Sequence, residues 1–212
     1  MKANINYVIP FGNQCISAFY LKENNLKLLS YPFDWIFCNP SIINDMIDDN
    51  FKKFLDKDNY VIKDSTSEKN KHSIYLPDLY LFNHRNPIKD DDYLYFLRCI
   101  ERFYNVLKKK ETKLFLITIL NNEIKNELEN ICILHNKLSN ITENYELLCI
   151  FQQKSDSGIQ SKEVYINENL TIIQLCTIDE SDGVIFLNDD DSKLYKDTID
   201  ELYEFNLNPI DF

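Results

Sequence analysis

Three glycines in 212 residues are too few for the loops with which nucleotide enzymes cradle phosphate. Dinucleotide fingerprints and P-loops each need several glycines close together so that backbone N–H groups can reach the ligand. Gly12, Gly158 and Gly183 stand far apart. Ser17 also lacks the flanking glycines of an α/β-hydrolase nucleophile elbow. Arginine is equally scarce, present only at 85, 98 and 102, and the formal charge is −11. A surface of that sign cannot gain from counterion release, so no nucleic-acid partner is expected. The six cysteines form no CxxC pair, which removes the usual nucleus of a zinc site or redox dithiol. No metal and no other cofactor is expected. Apolar runs such as Leu114–Leu120 fall far short of the ~20 residues of a membrane span. The N-terminus has no basic stretch followed by an apolar block. The expectation is a cytoplasmic chain, off the membrane, with free thiols.

What is present is ample apolar area. Hydrophobic residues make up 44% of the chain and include 14 Phe and 13 Tyr, enough for one substantial core and a single domain over 1–212.

The apolar spacing predicts a strand at Ile5–Pro10, a helix from Cys15 to Asn24 capped by Asn13, a short strand within Leu26–Phe37 and a helix from Ser41 to Leu55. A polar loop over Val61–Lys71 precedes an aromatic-rich strand at Ile74–Asn83. Asp90, Asp91 and Asp92 open a helix to Lys110. Leu114–Leu120 reads as a strand buried on both faces, followed by a helix capped by Asn121. Tyr145–Phe151 is a strand, Gln153–Lys162 a loop, and Val164–Ile166, Thr171–Ile178 and Val184–Leu187 are short strands before a helix from Asp190 to Phe205. This alternation predicts an α/β fold, a three-layer domain with a central, mostly parallel (mixed) sheet flanked by helices. Ligands then bind at the carboxyl ends of the strands, where the predicted elements place both Cys15 and His84.

Cys15 follows Gly12-Asn13-Gln14. A thiol in the first turn of a helix faces unpaired N–H groups and the positive end of the helix dipole, which favour thiolate and can hold an oxyanion. The alternative is a small buried hydrophobe. His84 is the candidate base, because His72 lies in a polar loop and His135 on an apolar helix stripe; a solvated strand-end ring is the competing reading. Asp34, between Phe33 and Trp35, is the choice for the group that orients the imidazole, ahead of Asn86 and the Asp90–Asp92 run, and a turn aspartate is its plainer role. Arg85, Arg98 and Arg102 all fall shortly after His84. Their planar forks suit a carboxylate or phosphate, and ion pairs with nearby acids are the alternative. With Asn13 and Gln14 they are the candidate substrate contacts.

Gly12-Asn13-Gln14-Cys15 with Ala18, Ser30-Tyr31-Pro32-Phe33-Asp34-Trp35, Phe82-Asn83-His84 and Arg98-Cys99-Ile100-Glu101-Arg102-Phe103 together resemble a family labelled, by analogy, as papain-like cysteine peptidases and found in bacteria and large DNA viruses. The resemblance spans roughly residues 5 to 120. It implies a Cys15 nucleophile and a His84 base, in the Cys-before-His order of papain-like enzymes. The Cys-Gly-Ser-Cys-Trp context of true papains is absent. The expectation is a cysteine-dependent hydrolase or acyl-transfer enzyme for a peptide or small molecule, an anionic one if the arginines bind it. The alternatives are a sugar- or nucleotide-handling transferase with an arginine phosphate site, and a non-enzymatic interaction protein.

Overall fold

The computed structural model describes residues 2–61 and 69–209. The chain opens with β1 (Ala3–Ile5) and β2 (Tyr7–Phe11), then α1 (Ile16–Glu23), α2 (Pro40–Asp48) and α3 (Lys52–Leu55). A 3-10 turn at Lys57–Asn59 leads to the two-residue strands β3 (Tyr60–Val61) and β4 (Lys71–His72). After α4 (Asp90–Leu107) come β5 (Lys113–Leu120), α5 (Ile124–Ile141), β6 (Tyr145–Lys154), β7 (Ser161–Asn167), β8 (Leu170–Thr177), α6 (Asp189–Leu202) and β9 (Tyr203–Phe205).

The central sheet has the order β2-β5-β6-β8-β7, with only β7 antiparallel to its neighbour. Successive side chains of a strand point to opposite faces, and the two cores divide accordingly. Ile9, Phe11, Phe115, Ile117, Leu147 and Cys149 pack with α2, α4 and α5. Val8, Leu114, Leu116, Leu148, Ile150 and Ile173 pack with α1, α6 and β9. The result is the expected three-layer α/β arrangement with a mostly parallel sheet. No helix among the described residues is long and apolar enough to cross a membrane.

Several expected elements differ. Leu26–Phe37 is loop, touching a strand-like partner only at Ile36, which bridges to Phe82. Ile74–Asn83 is also irregular, because Leu76 takes φ 51° and Pro77 follows it. Its aromatic content serves burial instead: Tyr75, Leu81 and Phe82 are core residues. The helix predicted from Ser41 to Leu55 breaks where Asn50 and Phe51 adopt φ 57° and 60°. Val184–Leu187 is a loop whose Phe186 bridges to Ser181. Residues 203–205 leave α6 to pair in parallel with β1. The expected loop after residue 153 is shorter, since β6 runs to Lys154 and β7 begins at Ser161. Cys15 rather than Asn13 is the N-cap of α1, and Glu123 rather than Asn121 that of α5. Most of the polar loop expected at Val61–Lys71 lies outside the described residues.

Candidate active site

The site forms where β2 ends. A Cβ on Gly12 would lie 2.3 Å from the Phe33 carbonyl oxygen and 2.8 Å from that of Ile36, so the residue must be glycine for the 33–36 loop to cross the strand end. The Cys38 N–H donates to the Gly12 carbonyl at 3.1 Å. Asn13 and Gln14 complete the turn, and Cys15 begins α1 by accepting the Phe19 N–H at 2.8 Å. The first-turn N–H groups that follow have no carbonyl one turn back.

His84 arrives from a different direction than expected. The 30–38 and 74–86 loops are stitched together by the Ile36–Phe82 bridge and by the Phe37 N–H donating to Leu81 at 2.9 Å. Asp92 in the first turn of α4 then holds the segment after the histidine: it pairs with the Arg85 guanidinium at 2.8 Å and accepts the Asn86 N–H at 2.9 Å. Arg85 also lies 3.5 Å over the Tyr95 ring. These contacts place His84 Nε2 3.3 Å from Cys15 Sγ. Trp35 packs edge-on against the imidazole, with ring centroids 5.9 Å apart.

Cys15 is buried while His84 is exposed. Burial pushes the Cys15 thiol up to about 11, against a hydrogen bond from Asn83 that lowers it. Desolvation therefore works against the preference for thiolate expected at a helix N-terminus.

Asp34 does not reach the imidazole. Its buried carboxylate is ion-paired with Lys27, and burial raises its pKa against that pairing. His84 Nδ1 has no hydrogen-bond partner among the described residues. The side chain that joins the pair is Asn83, whose Nδ2 lies 3.3 Å from His84 Nε2. Asn83 was legible only as the neighbour of the histidine; nothing in its spacing marks it.

A cleft of about 590 Å³ opens beside the pair, lined by Asn13, Gln14, Phe37, Tyr80, Asn83 and Glu127 among others. Gln14 packs its side chain on the α-carbon of Gly183, where a Cβ would sit 1.8 Å from Gln14 Oε1. None of the three arginines lines this cleft. Arg85 is committed to Asp92, Arg98 is exposed on α4, and Arg102 lies where it acts on Tyr31 and Cys99. His72 is buried and bonded to backbone, its Nε2 3.0 Å from the Lys53 carbonyl.

No curated protein and no solved structure matches the chain significantly. A family model does, over residues 6–153, a span that holds Cys15, Asn83 and His84 and leaves out β1, β7, β8, α6 and β9. The chain belongs to the family described as "Putative papain-like cysteine peptidase (DUF1796)".

Proposed function

We propose that the protein is a cysteine-dependent hydrolase or acyl-transfer enzyme in which Cys15 attacks a carbonyl carbon and His84 moves the proton. The observation that carries this reading is the 3.3 Å approach of Cys15 Sγ to His84 Nε2 at the N-terminus of α1.

Because burial favours the thiol over the thiolate, proton transfer accompanies attack. The S–H proton passes to Nε2, the S–C bond forms, and the carbonyl π electrons move onto oxygen. First-turn N–H groups of α1 and the Asn83 amide are the donors near the sulfur that can hold that oxygen. Collapse expels the leaving amine or alkoxide, which takes the proton from the imidazolium. Water, deprotonated by the now neutral His84, or an acceptor nucleophile then cleaves the thioester. The substrate we infer is a peptide or small amide, because Asn13, Gln14 and Asn83 line the cleft and carboxamides pair with amide groups as both donors and acceptors. No cofactor enters any step.

The test is acyl-enzyme trapping. Incubation with an activated ester followed by intact-mass and peptide mapping should find one acyl group on Cys15, absent in Cys15→Ser and slowed at least a hundredfold in His84→Ala. Acylation elsewhere, or an unchanged rate in His84→Ala, rejects the assignment.

A further inference from the structure

The central sheet ends on β7, whose second half, after Lys162 and Glu163, lacks the usual protection. Natural edge strands are kept short, bulged, covered, or interrupted by proline and charge, because their unpaired backbone groups recruit other strands. β7 runs seven residues without proline, and Val164, Tyr165 and Ile166 in its middle are 42%, 54% and 66% exposed. Its backbone polarity can be read from the hairpin. The two-residue turn at 168–169 closes on the Asn167–Leu170 pair, so Asn167, Tyr165, Glu163 and Ser161 direct their N–H and C=O groups to β8. Lys162, Val164 and Ile166 direct theirs outward.

We propose that β7 pairs antiparallel with β7 of a second copy of this chain, about a two-fold axis at Tyr165, so that two five-stranded sheets become one. The choice of occupant rests on self-complementarity. This register sets Val164 opposite Ile166 and Lys162 opposite Glu168, each twice, with Tyr165 facing itself. Centring on Val164 instead sets Lys162 against Ile166, and centring on Glu163 sets two carboxylates face to face. Only the Tyr165 register matches apolar with apolar and opposite charges together, and it pairs outward backbone groups with outward ones. Lys162 is held within its own chain by Glu201 at 2.5 Å, and an ammonium with three N–H donors can take a second carboxylate beside that one.

The experiment is sedimentation of the full chain from micromolar to millimolar concentration, with three variants. The parent should form a dimer. Tyr165→Cys should give an intermolecular disulfide mapped to position 165 on mild oxidation, because residues at a non-hydrogen-bonded antiparallel pair have Cα atoms about 4.5 Å apart. Val164→Pro removes only an outward N–H, so it should weaken dimerisation at least tenfold with the thermal melt of the monomer retained. Ile166→Lys, which leaves the backbone intact, should weaken it similarly. A parent that is monomeric throughout overturns the proposal. So does a dimer that survives both edge substitutions or fails to cross-link through position 165.

Discussion

The Asn83 amide nitrogen lies 3.3 Å from His84 Nε2, the ring nitrogen that also faces the Cys15 sulfur at 3.3 Å. With the Asn83 amide N–H donating, Nε2 is the acceptor, which corresponds to the tautomer protonated on Nδ1. That tautomer is the one able to receive the Cys15 proton. Once Nε2 is protonated, two N–H groups point at each other, and Asn83 is driven toward the sulfur and the developing oxyanion. Asn83→Ala should lower kcat by about 10²–10³, the loss typical of one oxyanion donor, with KM little changed. Because Asn83 holds the Cys15 thiol down, the alkylation rate of Cys15 should also rise at higher pH in the variant than in the parent. An equal loss in kcat and in thermal stability, with no displacement of the alkylation profile, would reduce Asn83 to a packing residue.

Alkaline pH should unfold the protein early. Burial raises the thiols of Cys15 and Cys99 to about 11 and those of Cys38 and Cys149 further, from an ordinary value of 9.0. Above pH 9 the unfolded chain releases these protons while the native state keeps them, so stability falls as pH rises. Below about pH 8 all four are protonated in both states and contribute no slope. Thermal melts should be flat in this respect from pH 7 to about 8, begin to fall as pH approaches 9 and drop steeply from 9 to 11. The drop should be shallower in Cys149→Ala, measured against its own melt at pH 7.

Long periodic elements were readable from the residues alone, and the site was readable only in part. The run at 113–120 and the stripes of α4 and α5 carry their period in many residues. By contrast Tyr75, Leu81 and Phe82 look like strand residues because β propensity largely measures burial of an aromatic surface, and a loop pressed on the core achieves that equally well. Cys15 stands out in the sequence because it follows a strand and a glycine turn. His84 stands out in the sequence for a reason the structure does not keep, since no strand precedes it; cross-loop bonds and Asp92 position it. Asp34 was misassigned because a buried carboxylate needs a cation, and whether that cation is an imidazole or a lysine depends on a loop path that spacing does not encode.

Asp34 acts on the site through its neighbour. Lys27 and Asp34 side chains are only 9% and 1% exposed, and the pair closes the loop that presents Trp35 to His84. Asp34→Ala leaves a buried ammonium unpaired and should cost about 3–5 kcal/mol, measured by denaturant unfolding. The double variant Lys27→Met with Asp34→Leu should recover most of that loss, because two apolar groups need no partner. If the double variant is as unstable as the single one, the ion pair is not what Asp34 supplies.

Gly12 and Gly158 separate contact from backbone strain. At Gly12 an added Cβ meets two carbonyl oxygens at 2.3 and 2.8 Å, and neither can move without shifting the 33–36 loop that carries Trp35. At Gly158 the φ of 67° is costly for a side chain, and no atom lies within 4 Å. Gly12→Ala should therefore destabilise by about 1–3 kcal/mol or more and reduce turnover, because the same displacement moves Trp35 away from His84 and strains the Cys38–Gly12 bond beside Cys15. Gly158→Ala should cost about 1 kcal/mol at most, since the left-handed penalty is offset by the smaller conformational freedom of the unfolded chain, and it should leave turnover unchanged, because Gly158 sits in an exposed turn that does not line the cleft. Paired unfolding and rate measurements on the two variants decide the matter: equal effects on stability and rate at both positions would mean that Gly12 is retained for its flexibility and that the approach of the 33–36 loop does not shape the site.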